Sequence, residues 1–188
     1  MALPSPLPQT PLLHGRFSAR KFTDAAVSEQ TLHSLLEAAR WAPSSRNEQP
    51  WAFIVAPRQD TVAFEALLGC LAENNQAWAK EAAVLMLCAT AARWSDRDLP
   101  NRHAWHDVGL AVMSLSVQAV SLGLQAREMG GLDYDKARAL YQVPASHDIT
   151  SALAVGMPAE AGTYLSQRSR KPLESFVFEG SWGKPWKA

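Results

Sequence analysis

The order of apolar and polar side chains predicts a first helix at residues 29–41. Four apolar side chains recur there at the spacing i, i+3, i+4 and i+7, which puts them on one helical face: Leu32, Leu35, Leu36 and Ala39. Ser28 is suited to cap the first turn, and Val27 and Leu32 are placed as a hydrophobic staple. Pro43 ends the helix, because it lacks the N–H that a continuing turn requires.

Shorter apolar runs and turn residues predict the other elements. Strands are expected at residues 51–56, 83–89, around Gln125 and at 149–155. A helix stays open as the alternative for 83–89, because periodicity cannot decide so short a run. Further helices are expected at 61–71, at 103–122 with Gly123 as its stop, and from a cap at Asp133 to a point before Pro144. Because strands and helices mix without strict βαβ alternation, the fold class is α+β.

The amino-acid composition indicates a folded domain and argues against some classes of partner. The chain has 188 residues, of which 47% are hydrophobic and 19% charged, so it holds enough apolar material for one folded domain. Eighteen basic residues balance eighteen acidic ones, which argues against a nucleic acid or an anionic membrane as partner. Two cysteines, Cys70 and Cys88, fit a reducing compartment, and we expect the protein in the cytoplasm.

The N-terminal stretch does not have the pattern of a signal peptide. Residues 1–14 contain four prolines and no basic segment before an apolar run. We therefore expect residues 1–14 to form a flexible tail and residues 15–188 to form a single domain, since no repeat or linker divides them.

The segment from Val108 to Ala126 is 19 residues long and carries no charge. Its serines, glutamines and glycines disfavour a membrane span, because lipid would leave their polar groups unsatisfied. We interpret it as a buried helix that is apolar around most of its circumference. Since a small domain covers only part of such a surface, a homodimer is favoured over a monomer.

Two basic segments could bind an anion. In an extended chain Arg16, Ser18 and Arg20 point the same way, and arginine forks with a hydroxyl suit a phosphate. Arg168 and Arg170 repeat the pattern near the C-terminus and could close on the same phosphate. The alternative for each segment is a solvated basic surface.

Two further stretches have ligand-binding character. The loop from Pro43 to Trp51 offers the hydroxyls of Ser44 and Ser45 and the amides of Asn47 and Gln49, which can donate and accept at the edge of a heterocycle. The glycine pair Gly130-Gly131 lets the backbone approach a flat ligand, because neither residue has a Cβ. The alternatives are an ordinary helix-to-strand connection and a tight turn. Neither a Gly-x-Gly-x-x-Gly motif nor a Walker loop occurs.

A metal site is a weaker hypothesis. The spacing i, i+3 and i+4 of metal ligands on one helical face occurs at His103, His106 and Asp107. However, no third histidine or cysteine lies at a spacing typical of a metal ligand. A pair of histidines at the start of a helix is the simpler interpretation, and we expect no metal. The hypothesis of a serine hydrolase is equally weak, because the sequence has no Gly-x-Ser-x-Gly motif at which a nucleophilic serine would lie.

Taken together, these motifs resemble the nitroreductase family of flavin enzymes. Arg16-Phe-Ser-Ala-Arg20 is similar to its opening motif, and Pro43-Ser-Ser-Arg-Asn-Glu-Gln-Pro-Trp51 to its most diagnostic loop. Asn75-Gln-Ala-Trp78, Gly130-Gly-Leu-Asp133 and Arg168-Ser-Arg-Lys-Pro172 follow in the family's order. The resemblance implies a central, mostly antiparallel sheet flanked by helices. It also implies a homodimer with the long helix at its interface and one FMN in each interface site.

The resemblance also implies roles for individual residues. Arg16, Ser18 and Arg20 would hold FMN from one subunit, with Arg20 near N1 and O2 of the flavin, and Arg168 and Arg170 would join Arg16 on the phosphate. The partner subunit would bring four residues of the diagnostic loop: Pro43, Ser44, Ser45 and Asn47. Asn75, or Asn74 if the register shifts, would lie near the ring. The backbone N–H of Gly130, beside Gly131, would point at N5.

The implied reaction is a ping-pong transfer of hydride from NAD(P)H through flavin N5 to a small electron acceptor. Because the flavin supplies the chemistry, no amino-acid nucleophile or base is expected. Gly130 stands where many family members have a glutamate, Phe17 replaces a basic residue, and the substrate lid is short. Nitroaromatics, quinones and enals therefore all stay open as acceptors. The alternative is an FMN-binding protein without efficient turnover, for storage or sensing.

Overall fold

A four-stranded antiparallel sheet forms the centre of the computed structural model, which describes residues 9–97, 99–160 and 169–186. The strands are β1 (Trp51–Pro57), β2 (Val84–Ala91), β3 (Gln125–Met129) and β4 (His147–Gly156), in the order β1-β2-β4-β3. Every neighbouring pair is antiparallel. The predicted α+β class and antiparallel sheet are confirmed. The apolar run predicted at residues 83–89 forms a strand rather than a helix, with bounds Val84–Ala91.

In the described parts of the chain, the sheet is surrounded by six α-helices: α1 (Pro11–Gly15), α2 (Glu29–Arg40), α3 (Thr61–Leu68), α4 (Glu73–Ala79), α5 (Ala104–Ser121) and α6 (Tyr134–Tyr141). Side-chain hydrogen bonds confirm the helix caps predicted at Ser28 and Asp133. The hydroxyl of Ser28 accepts a hydrogen bond from the Thr31 amide at the start of α2. The carboxylate of Asp133 accepts one from the Lys136 amide at the start of α6. Gly123 has φ +75, the left-handed conformation that ends α5.

The sheet separates two hydrophobic clusters. On one face, side chains of β2 such as Met86 pack with Leu35 of α2 and Leu115 of α5. On the other face, Leu85 and Leu87 pack with α3 and the residues that follow it. Strand β2 is buried on both faces because it lies inside the sheet, which explains its continuous apolar run.

The helix predicted at residues 103–122 is α5, which packs against α2 and covers the sheet. Within the described residues, no helix is both long enough and apolar enough to cross a membrane. One face of α5 is left exposed by the described residues: Trp105 and Met113, eight residues apart, are exposed by 55% and 39%, and Gly109 lies exposed between them.

The structure corrects three sequence predictions. Helix α1 lies inside the stretch 1–14 that was expected to be a tail. It begins with a proline at its first position, and the glutamine that follows α5, Gln125, accepts from the Phe17 amide and donates to the Gly15 carbonyl. Helix α3 ends at Leu68 rather than at residue 71, and α4 was not predicted at all. At seven residues, α4 is too short to show an apolar period.

Candidate functional site

The segment from Arg16 to Arg20 runs extended along the domain with alternating burial. Phe17 and Ala19 are buried in the core, so Arg16, Ser18 and Arg20 face outward together, as the sequence predicted. Ser18 and Arg20 are exposed, and Arg16 is half-buried. The segment is attached to the sheet, because Arg127 of β3 donates a hydrogen bond to the Ser18 carbonyl at 2.7 Å.

Arg170 lies close enough to Arg16 to act on it electrostatically, although 154 positions separate them in the sequence. Burial is the larger cause, and the neighbouring Arg170 guanidinium the second, of a pKa for Arg16 below its usual range. Arg170 itself is exposed. Arg168, predicted to join them, lies outside the described residues. Two cations brought together in this way favour the binding of an anion between them.

The glycine pair forms a turn whose carbonyls are anchored. The Gly131 carbonyl accepts from the Ala72 amide and from the Asn75 side chain, both at 3.0 Å, and the Gly130 carbonyl accepts from the Tyr134 hydroxyl at 3.0 Å. Among the described residues the amides of Gly130 and Gly131 have no protein acceptor. The turn therefore holds two N–H donors in a fixed orientation.

A side chain at either glycine would meet very different surroundings. A Cβ on Gly131 would lie 2.8 Å from Nδ2 of Asn75, so glycine is required for this close approach. A Cβ on Gly130 would meet nothing within 4 Å, so the turn is open on that side. Of the two asparagines considered, Asn75 is the one that reaches the glycine turn.

Arg127 connects the parts of the site and was missed by the sequence analysis. Its guanidinium lies 4.8 Å from the ring centroid of Trp78 on α4 while it binds the Ser18 carbonyl. Strand β3 thus supports the Arg16–Arg20 segment and helix α4 with one side chain. The available signal was a charged residue inside a short strand.

The loop after α2 has a strained backbone. Arg46, Asn47 and Gln49 have φ of 56, 57 and 51, a left-handed conformation that costs free energy for residues other than glycine. Inside the loop, the Ser44 hydroxyl accepts from the Gln49 amide at 2.9 Å. Pro43 and Asn47 are exposed, and Ser44 and Ser45 are part-buried. The sequence predicted a turn-rich loop but not these dihedral angles.

One chain does not bring this loop to Arg16. The Ser45 amide donates to Asp107 near the start of α5. Gly15, next to Arg16, lies instead beside Val120 near the end of α5, where a Cβ added to the glycine would be 3.2 Å from Cγ1 of the valine. Because a helix rises about 1.5 Å per residue, these two positions on α5 are about 20 Å apart. The predicted site residues therefore form two groups on one subunit.

The alternative metal site is not supported by the geometry of its residues. Both oxygens of Asp107 have protein partners, the Ser45 amide at 2.9 Å and Nδ1 of His106 at 3.0 Å. In the described parts of the chain, no three histidine, cysteine or acidic side chains are grouped as metal ligands.

Comparison with known proteins identifies the family. The model of the Nitroreductase family matches residues 13–157, more than half of the chain. The chain belongs to the nitroreductase family. Among the curated relatives of this chain, an NADH dehydrogenase from Thermus thermophilus is 28% identical, across 86% of this chain and 91% of its own.

Solved structures of similar proteins have the same fold as this chain. An oxidoreductase described as containing FMN is 30% identical, covers 96% of each chain and superposes with a TM-score of 0.88. A protein from Desulfovibrio desulfuricans, described in complex with FMN, is 28% identical over 93% of this chain and 99% of its own, with a TM-score of 0.74. The antiparallel sheet with its surrounding helices is thus the nitroreductase fold.

The described residues of this chain fit a planar ligand that carries a phosphate. The cations Arg16 and Arg170 suit the anionic end, and the glycine turn, with two amides and no Cβ, suits close approach of a flat ring. Ser18 and Arg20 face outward on the same stripe as Arg16.

Proposed function

We propose that this protein is an FMN-dependent oxidoreductase that takes reducing equivalents from NAD(P)H and passes them to a small acceptor, such as a nitroaromatic, a quinone or an activated enal. The observation that carries the proposal is the alternating burial of the Arg16–Arg20 segment, which turns Arg16, Ser18 and Arg20 outward together. The electrostatic effect of Arg170 on Arg16 supports it. The two similar structures described with FMN support the choice of cofactor.

In this proposal the chain binds and orients FMN, which supplies reversible hydride transfer at its N5 atom when bound. Arg16 and Arg170, with Arg168, would hold the phosphate through charge-assisted hydrogen bonds. Arg20 would lie beside N1 and O2, where a fixed cation stabilises the negative charge that reduction adds. Asn75 would keep the glycine turn in place through the Gly131 carbonyl, so that the Gly130 amide donates toward N5.

The open side of Gly130 supports close approach of the flavin. Apart from the glycine and its chain neighbours, no atom of the described residues lies within 4 Å of the Cβ position there, so a flat ring can reach the turn. Neither a general base nor a nucleophile is needed, which agrees with a site built from arginines, amides and backbone groups.

We propose that the site is completed by a second subunit. The loop residues Pro43, Ser44, Ser45 and Asn47 lie about 20 Å along α5 from the Arg16 side, so one chain could not hold both ends of a single FMN with them. In a homodimer the partner's loop could reach that FMN, giving two sites.

Exposed apolar surface supports the dimer. The face of α5 with Trp105 and Met113 is uncovered. Residues 169–186, the C-terminal arm, expose the side chains of Phe176 and Trp182, the latter by 91%. Among the described residues, hydrogen bonds of the arm join its own members. Apolar surface of this kind is typical of a subunit interface.

We also propose a cytoplasmic location. Cys70 and Cys88 are both buried and free, which fits a reducing compartment that also supplies NAD(P)H.

The test is steady-state NAD(P)H oxidation by FMN-loaded protein with nitrofurazone or menadione as acceptor. Parallel lines in double-reciprocal plots are expected, because donor and acceptor would use the same face in turn. Tight FMN binding without acceptor-dependent oxidation would instead favour the storage or sensing alternative. A protein that binds no added FMN would contradict both.

A further inference from the structure

A buried carboxylate outside the predicted ligand set holds the strained loop. Asp107, in the first turn of α5, is only 2% exposed, and its Oδ2 accepts from the Ser45 amide at 2.9 Å. Its Oδ1 lies 3.0 Å from Nδ1 of His106, a largely exposed ring. Neither the sequence motifs nor the metal hypothesis gives Asp107 this role.

The loop needs such a restraint because of its backbone. Among the described residues, four other than glycine have a left-handed φ, and three of them follow Ser45 within four positions: Arg46, Asn47 and Gln49. A conformation of this kind persists only when its surroundings fix it. Asp107 fixes the loop immediately before the first of these residues.

A second carboxylate fixes the far side of the loop. Glu48 accepts from the Ser95 amide at 2.6 Å, and Arg46 lies 5.9 Å from the ring centroid of Trp94. These contacts attach the loop to the segment after β2, whereas Asp107 attaches it to helix α5. Without Asp107, Ser45 and the left-handed pair Arg46-Asn47 would lose their connection to that helix.

The negative charge of a carboxylate strengthens the bond by which Asp107 holds the Ser45 amide. A carboxylate near the N-terminus of a helix is stabilised by the helix dipole, and its bond to a backbone amide is charge-assisted. The bond is shielded from water, because the carboxylate is buried. It therefore restrains the loop more firmly than an exposed contact would.

We infer that Asp107 is a positioning residue, which holds the Ser45–Asn47 turn in the shape that presents Ser44 and Asn47 to FMN in the partner subunit. The inference rests on the proposed function for the identity of the ligand. The restraint on the loop by itself does not depend on FMN, so the two can be tested separately.

The first measurement is limited tryptic digestion of the apoprotein, followed by mass spectrometry. Arg46 is exposed, so cleavage after it reports loosening of the loop, whereas cleavage after Arg138 in α6 reports global unfolding. We expect Asp107→Ala to accelerate cleavage after Arg46 by about tenfold or more relative to Arg138. Asp107→Asn keeps an oxygen for the Ser45 amide and is expected to restore much of the protection.

The matched control is Asp60→Asn. Asp60 also accepts a hydrogen bond from a backbone amide in the first turn of a helix, that of Ala63 at 3.0 Å, but it caps α3. It therefore tests the general loss of a carboxylate at a helix start. Its cleavage after Arg46 is expected to equal that of the unmodified protein.

The second measurement is the FMN dissociation constant of the same variants, by quenching of flavin fluorescence. Loss of a charge-assisted bond to a buried amide predicts an increase of about tenfold to hundredfold for Asp107→Ala. The increase for Asp107→Asn should be smaller, and Asp60→Asn should show none.

The outcomes separate the two claims. Unchanged cleavage after Arg46 in folded Asp107→Ala would overturn the positioning role. Faster cleavage with an unchanged FMN dissociation constant would keep the restraint and refute the assignment of this loop to FMN. If Asp107→Ala does not fold, Asp107→Leu takes its place, because leucine fills the buried position but accepts no hydrogen bond from the Ser45 amide. Cleavage after Arg46 equal to that of Asp60→Asn would then overturn the inference.

Discussion

Replacement of Arg16 by alanine should weaken FMN binding through the phosphate alone. Arg16 is half-buried, and Arg170 lies close enough to lower its pKa, so a bound phosphate would gain from both cations. A hydrogen bond to a charged group contributes about 1.5–3 kcal/mol, which corresponds to an increase in the dissociation constant of roughly 10- to 150-fold.

The assay is a fluorescence titration of apoprotein with FMN and, in parallel, with riboflavin, which lacks the phosphate. Arg16→Ala should raise the dissociation constant for FMN and leave that for riboflavin nearly unchanged. Arg58→Ala removes the same charge at a side chain that binds the Glu81 and Asp24 carbonyls, and should affect neither ligand.

Arg170→Ala gives a further test of the same site. Since both arginines would act on one phosphate, the double variant should lose less affinity than the sum of the two single losses. Equal weakening of FMN and riboflavin by Arg16→Ala would refute a phosphate contact, and so would an unchanged affinity for FMN.

Three other predictions follow from local geometry. Gly131→Ala should lower the free energy of unfolding of the apoprotein by about 1–3 kcal/mol, because the new Cβ displaces Asn75, while Gly130→Ala should change it by less than about 0.5 kcal/mol; urea denaturation checks both. Ser28→Ala should lower the free energy of unfolding by about 1 kcal/mol, because α2 loses its N-terminal cap, and should leave FMN affinity unchanged. Burial raises the pKa of Cys88 to about 12, and an unfolded thiol ionises near 8.5. The free energy of unfolding should therefore fall as pH rises above about 8.5, and Cys88→Ala should flatten that fall.

Much of the fold was predictable because its elements are long or capped. Helix α2 has a full apolar stripe and a serine cap, and α5 contains a long uncharged stretch with a glycine stop. Strand β2 was recognisable from β-branched and aliphatic residues, although its choice over a helix needed the sheet around it. Helix α4 could not be predicted, because its seven residues are held by the glycine turn, a contact distant in sequence.

The site was predictable in its residue types but not in its geometry. Alternation alone placed Arg16, Ser18 and Arg20 on one side. The approach of Arg170 to Arg16 depends on how the chain returns to the sheet, and no local pattern encodes that path. The same holds for Asp107, whose spacing suggested a metal ligand although its partner is a backbone amide 62 positions away.

The most direct test of the account is the visible absorbance spectrum of the purified protein, followed by heat release and identification of the chromophore. We expect a yellow protein that releases FMN at about one per chain, since each subunit contributes one Arg16–Arg170 pair. A colourless protein that also takes up no added FMN would contradict the proposed cofactor site and leave only the nitroreductase fold.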